Sequence, residues 1–175
     1  MPRPAGFTLL ELLVVLTLGA GLFALAVPAF RSVVQDARLV AAVNRVVHGV
    51  HLARHEALTT GAEVVLCRSR TGRQCSDSGD WNRGFIVFVN RDRDDPPRLD
   101  PGETLLQAER GLALGAVTAN RRAFVFRPWS RSVNGTFTFC DERGTVAARA
   151  VVVSYTGRPR AIAATSADGA SSCPG

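Results

Sequence analysis

At 175 residues the chain has room for one ordinary domain and an appendage, and its 46% apolar composition supports a buried core, which excludes a disordered tail. Four Cys in this length are too few to replace a core, which excludes a disulfide mini-scaffold. The chain carries 21 basic residues, all Arg, against 15 acids, a net charge of +6 with pI near 10.4; this suggests an anionic partner such as nucleic acid or a membrane surface, although an Arg-only repertoire also follows from a GC-rich genome.

Residues 7–30, FTLLELLVVLTLGAGLFALAVPAF, hold a single charge, Glu11. About 20 apolar residues suffice for a helix to cross a bilayer core, so this run predicts a membrane span. A cleaved secretory signal competes with that reading, because Ala24-Leu25-Ala26 has the small-x-small form of a cleavage site. Against it stand the lone Arg3 of the n-region, the length of the apolar run and the carboxylate inside it. A charge within a membrane segment is costly and calls for a partner.

The segment Gly6-Phe7-Thr8-Leu9-Leu10-Glu11 resembles the class III signal of type IV pilins and type II secretion pseudopilins. That resemblance implies a leader at 1–6, removed by a prepilin peptidase after Gly6, and a methylated N-terminal Phe7. It implies that Glu11 is the assembly carboxylate, pairing with the N-terminal amine of a neighbouring pilin as the filament leaves the inner membrane. Pro28 falls where pilins carry a helix-loosening proline. The physics agrees: a carboxylate in lipid becomes tolerable on meeting an ammonium, which couples membrane extraction to docking.

Residues 31–61 continue the helical pattern, with net charge +2. Leu39, Val43, Val46, Val50, Ala53 and Ala57 recur at steps of three and four and make one apolar stripe, and Gly61 supplies the stop. The helix is therefore expected to run about 53 residues, roughly 80 Å. His48, His51 and His55 share a face roughly opposite the stripe; His51 and His55 could chelate a metal, as in a secreted metalloprotein, but no third ligand is forced and the HExxH order is missing. No metal and no cofactor is expected.

From residue 62 the period changes. AEVVLCRS, RGFIVFVN, RAFVFRP, GTFTFC, RAVVVSY and RAIAAT are short β-branched or aromatic runs separated by Gly, Asn, Asp and Pro, which predict antiparallel strands. Val151-Val152-Val153 reads as a buried strand, and Thr136-Phe137-Thr138-Phe139 alternates as a half-buried one. Residues 62–175 thus form a β-rich head, expected to lie in the periplasm. The acidic loop at 90–100 invites a calcium reading, yet interleaved Arg and two prolines do not make an EF-hand loop; a solvated, internally salt-bridged loop is expected. No hydrolase elbow, Walker loop or catalytic carboxylate pair occurs, so no enzyme is expected.

The four Cys allow three pairings, of which Cys67 with Cys75 and Cys140 with Cys173 are favoured in an oxidising periplasm. The second would pin the C-terminal tail to a strand, stabilising by ~3 kcal/mol.

Order and spacing resemble the GspH/FimT minor pilins: the leader, the helix ending in ARHEALTTG, then DWNRGFIVFVN, an acidic loop, Gly102-Glu103 and the closing TGRPR. The implied fold is α+β, a pilin-like ladle with a long N-terminal helix packed on a head of small antiparallel β-sheets.

The positive charge concentrates at the end: residues 121–175 hold eight Arg against three acids, while 61–120 hold eight Arg against nine. Thr156-Gly157-Arg158-Pro159-Arg160 lies between two strand-like runs and predicts an exposed turn. Residues i and i+2 of an extended segment project together, and two guanidinium groups held so can each take a phosphate bidentately. The motif matches the GRxR of FimT-type pilins, whose resemblance implies sequence-independent DNA binding in natural transformation. The expected site is Gly157, Arg158 and Arg160, with Arg143 and Arg149 in support. Two structural roles stand as alternatives: a type II secretion pseudopilin, or a pilus-priming subunit whose basic hairpin serves filament packing.

Overall fold

The computed structural model describes Gly6, residues 8–164 and Cys173; Phe7 and the leader up to residue 5 lie outside the described residues. Helix α1 runs over Leu9–Thr60, 52 residues, close to the expected length. Thr8 starts it: its Oγ1 accepts the Glu11 N–H at 3.2 Å and its carbonyl accepts the Leu12 N–H at 3.2 Å. A threonine that caps the third helical amide, with glutamate at that position, satisfies an otherwise orphaned donor. The helix is continuous through Pro28, where a loosened turn was expected. It stops at Gly61, whose N–H donates to the Ala57 carbonyl at 3.1 Å and whose φ of +68° turns the chain out of the helix.

The chain divides into two compact units, Met1–Ala37 and Arg38–Gly175, the division falling inside α1. In the first unit almost every described side chain is exposed, and one 18-residue window reaches a mean hydropathy of 2.4, long and apolar enough to cross a membrane. In the second unit the stripe Leu39, Val43, Val46, Val50, Ala53 and Ala57 is buried throughout. Gly49 lies on the same buried side, where a Cβ would stand 2.8 Å from Phe85 Cε2 and 3.1 Å from Leu66 Cδ1. Helix and strands approach here to a distance only glycine allows.

Two four-stranded antiparallel sheets complete this unit. The first has the order β3-β2-β1-β5, from Leu105–Arg110 (β3), Gly84–Asn90 (β2), Glu63–Arg68 (β1) and Ala123–Phe126 (β5). The register puts Val64 beside Val89 and Phe126, and Leu66 beside Val87 and Phe124, so these side chains enter the main core with the helix stripe. Val65, Cys67, Ile86 and Phe88 alternate to the other face and form a second apolar cluster. The second sheet has the order β4-β6-β7-β8, from Ala116–Ala119 (β4), Gly135–Cys140 (β6), Arg149–Val153 (β7) and Pro159–Ala163 (β8). It sends Phe137, Phe139, Val151 and Val153 into the main core. Trp81, on a 3-10 turn, meets Phe137 and Phe124 edge-on at 4.9 and 5.9 Å.

Two details depart from expectation. β6 is buried at every residue rather than at alternate ones: it lies between β4 and β7, and the face of Thr136 and Thr138 also bears Cys140, bonded to Cys173. Strands β3 and β4 were not anticipated at all.

Candidate nucleic-acid interface

The β7–β8 connection is a short turn built by its own polar groups. Ser154 and Arg158 exchange backbone contact, Ser154 N–H donating to the Arg158 carbonyl at 3.0 Å while Ser154 Oγ accepts the Arg158 N–H at 3.2 Å. Gly157 N–H donates to the Ser154 carbonyl at 2.8 Å, and Ser154 and Thr156 hydroxyls lie 2.8 Å apart. Gly157 has φ +70° and is buried; a Cβ there would stand 3.1 Å from Phe126 Cδ1 and 3.4 Å from Ser132 Oγ. Glycine is therefore required twice, for the left-handed backbone and for the seat on Phe126. Its part is to position the turn, since its N–H is already engaged.

Arg158 and Arg160 are exposed, and neither guanidinium has a hydrogen bond, ion pair or ring contact among the described residues. Val153 pairs with Pro159 and Val152 with Arg160, so the bonds of Ser154 to Arg158 continue the ladder. By strand alternation Arg158 and Arg160 share the face opposite to Val151 and Val153.

The other C-terminal arginines are deployed differently. Arg143 follows β6 and approaches Asp141 with Nε at 3.0 Å and Nη2 at 2.6 Å from Oδ2. The Arg143 guanidinium holds the Asp141 carboxyl below its usual range. This pair precedes β7 while the turn follows it, and β7 itself is a five-residue strand about 13 Å long. Arg149 is exposed but pairs with Ala163 and Phe139, on the strand face opposite to that of Arg160. Arg127 Nε donates to Glu63 Oε2 at 3.0 Å, Arg121 Nε to the Asn134 carbonyl at 3.1 Å, and Arg122 lies 3.9 Å from Asp77. The geometry groups Gly157, Arg158 and Arg160, and it sets Arg143 and Arg149 apart.

The remaining sites are simply placed. Cys67 is bonded to Cys75 and Cys140 to Cys173. Glu11 is exposed in the first turn of α1, and Gly6 precedes that helix. His48, His51 and His55 are exposed on α1. In the acidic loop Asp92, Asp94 and Asp100 bring carboxylate oxygens within 4.8 Å of one another. Salt bridges were expected there, but the loop's acids accept backbone amides instead: Asp94 Oδ1 from Arg98, and Glu103 from Arg91 and Asp100. A backbone amide is already held in place by the fold, whereas an Arg head must be ordered at the expense of its rotamer freedom. Burial, with Asp92, Asp100 and Glu103 nearby, pushes Asp94 up despite the Arg98 N–H.

Two features were not read from the sequence. A groove of about 800 Å³ opens beside the turn, lined by Arg54, Phe126, Trp129, Arg131 and Tyr155 among others, with no acid in its wall among the described residues. A smaller depression of about 560 Å³ is lined by Arg70, Arg73 and Arg110. The signal for the first was present as Pro128-Trp129, an aromatic in a turn-forming context; nothing in the sequence marked it as exposed.

A long apolar N-terminal helix followed by two small antiparallel sheets defines a pilin-type subunit. The family model described as Type II transport protein GspH matches residues 42–157, and the prokaryotic N-terminal methylation motif matches residues 1–27. The chain belongs to the GspH family, which comprises minor type IV pilins and pseudopilins. The match ends at Gly157, so Arg158 and Arg160 lie just beyond it. Two crystal structures of the type IV minor pilin FimU of Pseudomonas aeruginosa PAO1, in space groups P65 and P21, share the fold with a TM-score of 0.53 each. They are 18% and 17% identical and cover 71% and 76% of this chain and 92% of each FimU chain. No curated protein matches the chain.

Proposed function

We propose that this minor pilin captures extracellular DNA for natural transformation, holding it without sequence preference through Arg158 and Arg160. The observation that carries the reading is the contrast within the last segment: Arg127 and Arg143 are spent on acids, while Arg158 and Arg160, on one face of a turn pinned by Gly157, have no partner among the described residues. A rigid turn loses little entropy on binding, and guanidinium groups without internal acids keep their full attraction for phosphate. Arg149 adds charge at a distance rather than contact. In this reading a prepilin peptidase cuts after Gly6, Phe7 becomes the methylated N-terminus, and Glu11 pairs with the amine of a neighbouring pilin. The apolar helix holds the subunit in the inner membrane, head in the periplasm, until it joins the pilus.

The test uses the full chain in a non-ionic detergent, titrated with duplex DNA at about 50 and 200 mM salt, where phosphate contacts are strongly weakened. The Arg158→Gln/Arg160→Gln variant should bind less tightly with a salt slope smaller by about two. Unchanged affinity and slope in the folded variant would overturn the assignment. The match to the type II transport protein GspH family supports a second reading, a type II secretion pseudopilin without a nucleic-acid role. Deletion of the gene separates the two, lowering transformation frequency in the first case and protein secretion in the second.

A further inference from the structure

We infer that Trp129 and Tyr155 form a stacking platform for unpaired bases, so that the DNA held at Arg158 and Arg160 is bound preferentially as a single strand. The inference rests on the DNA-binding reading above and adds the form of the ligand.

The two tryptophans of the chain have opposite fates. Trp81 is 1% exposed inside the aromatic core, whereas Trp129 is 88% exposed and Tyr155 is 53% exposed. A large aromatic left in water on a well-formed loop forfeits its burial energy, and that marks a contact surface. Both rings line the 800 Å³ groove, whose floor includes Ala57, Leu58 and Phe126. Its charged lining is Arg54 and Arg131, with Arg127 already paired to Glu63 and no acid in the wall among the described residues, and Nη1 of Arg54 is buried with no hydrogen-bond partner among the described residues. Apolar floor, aromatic faces and cationic walls complement a nucleotide, which offers an apolar base face and an anionic backbone. They complement a protein side chain only if it is acidic as well as apolar.

The platform is already ordered. Ser132 N–H donates to the Tyr155 carbonyl at 2.9 Å and Val133 N–H to the Val125 carbonyl at 2.9 Å, tying the Trp129 loop both to the turn and to β5. The Arg131 guanidinium carbon lies 5.5 Å from the Tyr155 ring centroid, a cation–π contact that fixes the ring. Tyr155 stands three residues before Arg158 in the same turn. Three residues reach at most about 10 Å, and successive nucleotides of one strand rise about 3.4 Å, so a few stacked nucleotides bridge the aromatic groove and the free arginines. A duplex keeps its base faces inside the helix and gains nothing from Trp129.

The test compares labelled 12-nucleotide single strands with the corresponding duplex, using the full chain in a non-ionic detergent at one salt concentration. The single strand should bind about tenfold more tightly, and its binding should change the emission of the exposed tryptophan. Trp129→Ala should lose about tenfold for the single strand and nothing for the duplex, with Tyr155→Ala acting in the same direction and Trp129→Phe retaining most of the affinity. Arg158→Gln/Arg160→Gln should weaken both forms. Duplex binding with no single-strand preference and no effect of Trp129→Ala overturns this inference while leaving the DNA-binding reading intact. Loss of pilin co-assembly in Trp129→Ala with single-strand affinity unchanged also overturns it, identifying the groove as a filament contact. Failure of either DNA form to bind the folded chain overturns both readings together.

Discussion

The loop after β1 and the turn after β7 are both rich in arginine, and they use it in opposite ways. In the first, Arg68 turns inward and staples the loop, its Nε on the Ser76 carbonyl at 2.9 Å, Nη1 on the Gly79 carbonyl at 2.8 Å and Nη2 on the Asp77 carbonyl. Burial, with Arg122 nearby, pulls this guanidinium below its usual value, against the pull of Asp77 and Asp80. The Cys67–Cys75 bond and the Ser69 hydroxyl, 2.6 Å from the Gln74 carbonyl, close the same loop. In the second, backbone bonds, the Ser154 hydroxyl and the seat of Gly157 supply the order, and the guanidinium groups of Arg158 and Arg160 supply none. A guanidinium with three carbonyl acceptors is structure; one with no internal partner is available for a ligand.

The largest expected effect lies in the first loop. Arg68→Met keeps the apolar stem but abandons three carbonyls, and should cost about 3 kcal/mol, read as a shift of the denaturant midpoint. DNA affinity of the refolded variant should be unchanged. A loss of DNA binding with little loss of stability would erase the distinction between the two regions. Next comes Gly157→Ala, which must hold a side chain at φ +70° against Phe126. It should cost about 2 kcal/mol and also weaken DNA binding, because the turn that aims Arg158 shifts. Wild-type stability in this variant would mean that the turn is less tightly seated than its contacts imply.

How much of this was legible in the sequence depends on the distance over which each feature is decided. The stripe from Leu39 to Ala57 was readable because a helix face is a local pattern. Strand β3 was not: Leu-Leu-Gln-Ala-Glu-Arg is made largely of helix formers, and only pairing with β2 extends it. Ala116–Ala119 is no shorter than Ala123–Phe126, but it is half Ala and lacks the aromatics that announce the latter. Among the arginines, the partner decides the role, and partners such as Glu63 for Arg127 and Glu109 for Arg45 lie 64 residues away. Segment charge therefore pointed to the last third of the chain, and Gly157-Arg158-Pro159-Arg160 to a turn, but neither could separate Arg143 from Arg158. The exposure of Trp129 was equally hidden, since an aromatic between Arg127 and Arg131 reads equally well as a buried strand end.

A smaller effect tests the paired side of the contrast. Asp141 has its folded value depressed by Arg143, so its contribution to stability is present in full above the ordinary carboxylate value of 3.8 and is lost as pH falls through the lower folded value. Asp141→Asn should remove about 1 kcal/mol at pH 6 and less at pH 2, flattening the acid limb of the stability curve. Equal losses at both values would assign the cost to packing rather than to the ion pair.

The smallest effect is the most discriminating. Arg70 and Arg73 are exposed, and with Arg110 they line the depression beside the Cys67–Cys75 loop, so this loop also carries positive charge available to a polyanion. Neither has an aromatic surface beside it in that depression, whose other lining residues are Thr71 and Gln74. Arg70→Gln/Arg73→Gln should leave the denaturant midpoint within about 0.5 kcal/mol, as expected for exposed side chains. It should lower duplex and single-strand affinity alike, by less than about threefold, through loss of long-range attraction that vanishes as salt shortens the Debye length. If this pair instead lowers affinity as much as Arg158→Gln/Arg160→Gln, the DNA path runs along the first loop as well. The two regions would then differ in how they are ordered but not in what they bind.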